Sequence, residues 1–122
     1  PIGDYGWTNA HDVARRLVEQ QLPVETLYVE SVPEGRVEPF IDRLVAQGAK
    51  VIFTTSFGFM DGTVAAAQRY PNVIFAHASG FKRARNLATY MADFYQVYYL
   101  NGLMAGALTK TNKVGYVGAF PI

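Results

Sequence analysis

The segment KVIFTTSFGFMDGTVAAAQRYPNVIFAHA, residues 50–78, decides the fold class of this chain. Its first part, KVIFTT (50–55), is a short apolar run typical of a strand that is covered on both faces, and NVIFAHA (72–78) is a second such run. Between them, Asp61 is a candidate N-cap for a helix that ends before Pro71, because proline cannot continue a helix. Strand, helix and strand in this order predict a right-handed parallel βαβ unit.

The same alternation extends to both sides of this segment. The spacing of apolar residues predicts further helices at 9–23, 37–48 and 94–108, and β-forming residues predict further strands at 26–32, 87–91 and 113–120. We therefore predict an α/β protein with a doubly wound parallel sheet and helices on both faces. The chain opens with a loop and helix where such a fold first lays down a central strand, so we expect that strand to lie outside this sequence.

Two local details accompany this prediction. Asn9 is a candidate N-cap of the first helix, with Asp12 as its capping-box partner. The segment 94–108 is the most apolar in the chain, but it is shorter than a membrane span and contains Gln96 and Asn101, so we predict a buried helix.

The composition limits the classes of function. The chain has 122 residues, of which 50% are apolar and 17% charged, and its net charge is +1, which is typical of one globular domain over residues 1–122 and argues against a nucleic-acid partner. The absence of cysteine excludes disulfides, thiolate zinc sites and a cysteine nucleophile. Two isolated histidines predict no metal site, and no dinucleotide or P-loop motif is present, so we expect no cofactor.

Three loops have an unusual composition for connections at the carboxyl ends of strands, where open parallel sheets bind ligands. They are residues 3–9 (GDYGWTN), 54–61 (TTSFGFMD) and 77–82 (HASGFK). Each combines glycine, a small polar or acidic residue, and an aromatic residue. Their shared composition predicts a ligand site at this edge of the sheet.

Individual residues in these loops allow two interpretations. Trp7 can stack on a planar ligand in the company of Phe57, Phe59 and Phe81, or it can fill the edge of the core. Asp4 can accept two sugar hydroxyls or act as a turn former or cap. Ser56 and Gly58 can present a hydroxyl and backbone N–H groups to a ligand or form only a tight turn.

A catalytic interpretation is weaker. The order Ser56, Asp61, His77 is compatible with a nucleophile triad, but TTSFG is not the G-x-S-x-G elbow and nothing in the sequence brings the three side chains together. We therefore assign no catalytic residue and do not expect an enzyme.

Four segments together resemble the basic membrane protein family, the purine-nucleoside-receptor-like substrate-binding proteins of bacterial ABC importers. They are GDYGWTNAHD, TTSFGFMD, HASGFKRARNLATYMADFYQVYYLNGLMAG and TKTNKVGYVGAFPI, and they cover essentially the whole chain in order. The resemblance implies a type I periplasmic-binding-protein lobe, a three-layer sandwich, of which this chain is most of the N-terminal lobe. The second lobe is expected outside the sequence.

The resemblance also implies residue roles. The aromatic residue that stacks on the ligand falls on Trp7, where many relatives have Phe, and the neighbouring acid falls on Asp4. Residues after the strand at 50–55 line the cleft, and the start of the long helix contributes polar contacts. The ligand-binding set expected on this basis is Asp4, Trp7, Asn9, Ser56, Phe57, Gly58, Phe81, Asp93, Tyr95 and Gln96.

The function that the resemblance implies is solute binding for an ABC importer without catalysis. The expected ligand is a purine nucleoside, a purine base or a flavin, and the expected partners are a permease and the missing lobe. The expected location is periplasmic or extracytoplasmic, with a lipoprotein anchor. Two alternatives remain open from the sequence: a cytoplasmic positive regulator built on the same lobe, and a hydrolase-like enzyme.

Overall fold

The structure is a computed structural model that describes residues 1–118. The chain forms two compact units, Pro1–Tyr90 and Met91–Ile122. The first unit contains the sheet and most of the helices, and the second contains one helix, followed by irregular chain over residues 109–118. The predicted α/β class is confirmed.

The first unit alternates helices and strands around one parallel sheet. Its strands lie in the order β1–β2–β3, with Val51 opposite Ile74 and Phe75 opposite Leu87. The predicted βαβ unit at residues 50–78 is therefore confirmed. The elements are a 3-10 turn at Ile2–Asp4, α1 (Trp7–Gln21), α2 (Glu38–Ala46), β1 (Val51–Thr54), a 3-10 turn at Phe57–Phe59, α3 (Met60–Arg69), β2 (Ile74–Ala78) and β3 (Leu87–Tyr90).

The core lies on one face of this sheet. Side chains of alternate strand residues, Ile52, Phe75 and Leu87, pack with Ile41 of α2 and Ala66 of α3. Phe75 is fully buried, and burying a side chain of this size stabilises the fold by about 1.5–3 kcal/mol. Because α2 and α3 both pack on this face, they hold the strands, and with them the carboxyl ends of β1 and β2, in fixed positions.

Two polar contacts join the helices to this core. The hydroxyls of Thr54 and Thr63 lie 2.9 Å apart and are hydrogen-bonded in the interior, which anchors α3 to β1. The Asn86 amide lies 3.0, 3.1 and 2.8 Å from the carbonyl oxygens of Ala67, Tyr70 and Val73 and donates to them. Ala67 lies in the last turn of α3, and Tyr70 and Val73 follow the helix, so Asn86 closes the turn into β2 and positions β3 beside it.

The other face of the sheet is different from the prediction. Val51, Phe53 and Ile74 are each 50% exposed or more, so the expectation that residues 50–55 are covered on both faces is wrong for this unit. The reason is that α2 and α3 pack on the same side. An apolar run indicates that a strand is buried, but it does not indicate which element covers it.

The predicted strand at residues 26–32 is also wrong. This segment has no strand hydrogen bonds, although its residues favour β structure. A strand exists only where a neighbour supplies the backbone partners, and none of the three strands pairs with it. Residues 113–118 of the predicted last strand are likewise irregular, and the rest of that prediction lies outside the described residues.

The second unit contains α4, Phe94–Leu108, as predicted from residues 94–108. The prediction that this helix is buried is wrong, because none of its residues is buried. The helix is apolar on every side, and its contacts include the edge-on pair of Tyr98 and Tyr116, with ring centroids 5.8 Å apart. No helix among residues 1–118 is both long and apolar enough to cross a membrane.

Candidate functional site at the carboxyl ends of the strands

The structure brings the three predicted loops to one edge of the sheet. Because β1 and β2 are parallel, the loops that follow them start at the same edge. His77 at the end of β2 donates from Nε2 to the carbonyl oxygen of Ser56, 2.7 Å away, and thereby joins these two loops. The first loop is fixed to the same place by Trp7, whose indole N–H donates to the carbonyl oxygen of Thr55.

Asp4 organises the first loop. Its carboxylate accepts backbone N–H groups from Gly6 at 2.8 Å, Thr8 at 3.1 Å and Asn9 at 3.0 Å. These hydrogen bonds, that from Gly6 first, lower the pKa of Asp4 from 3.8 to about 2. A carboxylate at the start of a helix also interacts favourably with the helix dipole. The structure thus gives Asp4 the capping role that the sequence left as one of two alternatives.

The predicted start of the first helix needs a correction. Helix α1 begins at Trp7, and Asn9 lies inside it with its side-chain amide donating to the carbonyl oxygen of Ile2 at 3.1 Å. Asp12 is not a capping partner but is buried and forms ion pairs with Arg15 and Arg16 at 2.9 and 2.8 Å. The capping acid is Asp4, which lies three residues before the helix, and not Asn9, the polar residue nearest to the apolar repeat.

Trp7 lies at the edge of the sheet rather than in the core. It is 38% exposed, and its ring is 4.8 Å from the ring of His11, tilted by 58°. Its only N–H is engaged by the carbonyl of Thr55. The indole therefore reaches the site with a fixed orientation, and what it can offer a ligand is its aromatic surface.

Ser56 is held by a residue that the sequence did not single out. Its hydroxyl donates to Oε1 of Glu34, which lies in the turn after residues 26–32. Gly35 allows that turn with a φ of +73°. The sequence does contain a signal for this role: Glu34 is an acidic residue just after a predicted strand, and the carboxyl ends of parallel strands share one edge of a sheet.

The nucleophile triad is excluded by these contacts. His77 bonds the backbone carbonyl of Ser56 and not its hydroxyl, which donates to Glu34. Asp61 lies one residue inside α3 and forms an ion pair with Lys82 at 2.6 Å, so it is neither the triad acid nor the predicted N-cap. Ser56, Asp61 and His77 thus do not bond to one another as a triad requires.

His77 itself is fully buried and supports the loop after β2. Since a carbonyl can only accept, Nε2 carries the proton of the hydrogen bond to Ser56. Nδ1 is buried without a hydrogen-bond partner among the described residues. Gly80 packs directly on this ring, because a Cβ built there would lie 2.5 Å from Cε1 and would overlap Nδ1.

The remaining predicted residues fall into two groups. Phe57 is partly buried in the 3-10 turn after β1, and Phe81 is 70% exposed in the loop after β2, so both belong to the edge described above. Asp93, Tyr95 and Gln96 are exposed at the start of α4 in the second unit. Their proposed ligand contacts stay predictions.

Two other features do not compete with this site. Among residues 1–118, no group of three histidine, cysteine, aspartate or glutamate side chains could hold a metal ion. A shallow depression lies at the amino ends of β2 and β3, lined by residues that include Pro71, Arg83 and Asn86. It is open and lies at the opposite edge of the sheet from the three loops.

Comparison with known proteins gives the context of this edge. Residues 1–122 match the model of a protein family described as ABC transporter substrate-binding protein, PnrA-like. A purine-binding protein of Brucella abortus is 45% identical over 125 residues, which cover 100% of this chain and 36% of the relative. A putative ABC transporter glucose-binding protein of Haloferax volcanii is 41% identical over 122 residues, which cover 99% of this chain and 31% of the relative.

A shorter match extends the comparison to nucleosides. An ABC transporter nucleoside-binding protein of Lactococcus lactis is 36% identical over 73 residues, which cover 59% of this chain and 21% of the relative. The chain spans about a third of the length of the Brucella and Haloferax relatives.

Proposed function

This chain belongs to the PnrA-like family of ABC transporter substrate-binding proteins, and on that premise we propose that it forms one wall of a purine-binding site in an ABC importer. The ligand is a purine base or nucleoside, and the protein carries no catalytic step. The observation that carries this proposal is the position of Trp7, a partly exposed indole fixed beside the ends of the strands.

Trp7 contributes by stacking. Because its N–H is already donated to Thr55, it offers a ligand no hydrogen bond and selects for a flat, apolar face. Stacking of a base on an aromatic side chain is worth about 1–3 kcal/mol. A purine satisfies this requirement, and its polar groups are met by other residues of the same edge.

The polar groups at this edge are acids and a hydroxyl. Asp4 is exposed at this edge, so a ligand hydroxyl or amine can approach its carboxylate. Ser56 follows β1 and is hydrogen-bonded to Glu34, and Phe57 and Phe81 add aromatic surface. This arrangement is suited to a neutral heterocycle that carries hydrogen-bond donors.

The wider role follows from the family. A substrate-binding protein of an ABC importer delivers its ligand to a permease outside the cytoplasm, and we assign these partners and this location, with a lipid anchor, to the protein that contains this chain. The second lobe would close over the ligand and bury the face that the first lobe leaves exposed.

The Haloferax relative favours a second candidate, a sugar. Its name assigns it glucose, and an aromatic ring beside an acid also suits a sugar, whose hydroxyls are donors. Calorimetric titration of the protein, as its gene encodes it, separates the two with adenine, adenosine, guanosine, inosine, riboflavin and glucose. We expect binding of at least one purine and none of glucose. Binding of glucose alone, or of riboflavin alone, would contradict the proposal.

A further inference from the structure

We propose that Glu34 determines the specificity of this site by fixing Ser56 as a hydrogen-bond acceptor, so that the edge selects a 6-amino purine over its 6-oxo counterpart. This inference rests on the proposed function, and it concerns a residue whose role follows from two contacts in the structure.

The first contact fixes the direction of the Ser56 hydroxyl. Ser56 Oγ donates to Oε1 of Glu34, and a hydroxyl has only one proton to give. An ionised carboxylate is itself only an acceptor, so the pair cannot reverse its direction. Towards a ligand, Ser56 therefore presents lone pairs, and an approaching N–H is accepted while an approaching carbonyl oxygen is not.

The second contact fixes the carboxylate of Glu34. It lies over Gly58, where a Cβ would be 2.9 Å from the carboxyl carbon and would overlap Oε2. The absence of a side chain at Gly58 is thus what admits the carboxylate to the loop after β1. Within residues 1–118, no lysine or arginine forms an ion pair with Glu34. The negative charge at this edge remains available to a ligand.

The nearest side-chain donors are turned into the protein. The N–H of Trp7 is given to the carbonyl of Thr55, and the N–H of His77 to the carbonyl of Ser56. Lys82 is paired with Asp61. The side chains of Asp4, Glu34 and Ser56 thus present acceptors at this edge, beside an aromatic surface.

In the proposed orientation the 6-substituent of the purine faces Ser56 and Glu34, and the polarity of these two side chains then discriminates between purines. A 6-amino group donates two N–H groups, whereas a 6-oxo group is an acceptor that would face the Glu34 carboxylate and the lone pairs of Ser56. An unmatched polar group in a site that has lost its water is penalised, and hydrogen bonds to charged groups are about twice as strong as neutral ones. Adenine should therefore bind more tightly than hypoxanthine.

The test is the ratio of the dissociation constants of hypoxanthine and adenine, measured by calorimetry on the protein as its gene encodes it. Glu34→Gln removes the charge and supplies an amide N–H that can donate to Ser56, which frees the serine proton for a ligand. The ratio is expected to fall by about tenfold or more. Gly58→Ala keeps Glu34 but expels its carboxylate, and it should lower the ratio in the same direction.

Glu25→Gln is the matched control, because Glu25 is an exposed acid just before residues 26–32 and lies outside the three loops of the edge. Its ratio should equal that of the unchanged protein. Retained adenine binding with an unchanged ratio in both Glu34→Gln and Gly58→Ala would overturn the inference alone. A preference of the unchanged protein for hypoxanthine would also overturn it, and failure to bind any purine would overturn the proposed function as well.

Discussion

Substitution of Gly80 by alanine tests how firmly the loop after β2 is packed. The new Cβ would lie 2.5 Å from Cε1 and 3.2 Å from Cγ of His77, whose ring is fully buried and cannot turn outwards. Forcing an extra methyl group into a packed interior costs about 1–3 kcal/mol. If the ring shifts, its hydrogen bond to Ser56 is lost as well, at about 1 kcal/mol. The expected loss in the free energy of unfolding is therefore about 2–4 kcal/mol.

Equilibrium unfolding in urea measures this loss. Gly3→Ala is the matched control, since no atom outside its neighbours lies within 4 Å of a Cβ there, and its effect should stay within about 0.5 kcal/mol. In the double variant Gly80→Ala with His77→Ala the two costs should not add, because the smaller side chain makes room for the methyl group. Equal effects of Gly80→Ala and Gly3→Ala would refute the packing of His77 described above.

Two further substitutions test the capping contacts. Asn86→Asp replaces the donor to three carbonyls by an acceptor and should cost about 2–3 kcal/mol in urea unfolding. Asn72→Asp, at an exposed position before β2, is the control, and a cost of Asn86→Asp no larger than that of the control would contradict the role of Asn86. Asp4→Asn should remove the part of the pH dependence of stability that comes from Asp4. The pKa of Asp4 is lowered from 3.8 to about 2, so its ionised carboxylate stabilises the fold fully above pH 3.8, and this stabilisation is lost as the pH falls towards 2. The thermal unfolding temperatures of the variant and the unchanged protein should therefore differ at neutral pH and converge near pH 2. A difference that persists unchanged at pH 2 would contradict the capping by the Asp4 carboxylate.

The parts of the fold that follow from local patterns were predictable. The apolar spacing placed α2, α3 and α4 within a few residues, and the βαβ unit at 50–78 followed from strand composition and the proline that ends α3. The segment at 26–32 shows the limit. Its composition favours a strand, but pairing depends on a neighbour in space, which no local pattern contains.

The site was predictable as a place and not as a set of contacts. The parallel strands bring the loops after β1 and β2 to one edge, and Trp7 holds the first loop there, so the three loops meet as the sequence indicated. The partners of individual atoms were not predictable, because they depend on approach distances between segments far apart in the chain. Glu34 reaches Ser56 over 22 residues, and His77 reaches the same residue over 21 from the other side.

Two glycines allow these long-range contacts, and their role cannot be predicted from the sequence. Gly58 admits the carboxylate of Glu34, and Gly80 admits the ring of His77. In the sequence both are ordinary turn residues. In the structure each glycine leaves room for the side chain of a neighbour. Substitution of Gly58 should therefore change ligand selection, and substitution of Gly80 should lower stability.

The most direct test of the central claim, that Trp7 supplies the stacking surface for a purine, compares Trp7→Phe with Trp7→Ala in adenine binding by calorimetry. Both variants lose the hydrogen bond to Thr55, but only the alanine variant loses the aromatic face. We predict that phenylalanine keeps the affinity within about threefold, while alanine weakens it by about tenfold or more. Equal affinities of the two variants, whether both are unchanged or both are lost, would contradict the account.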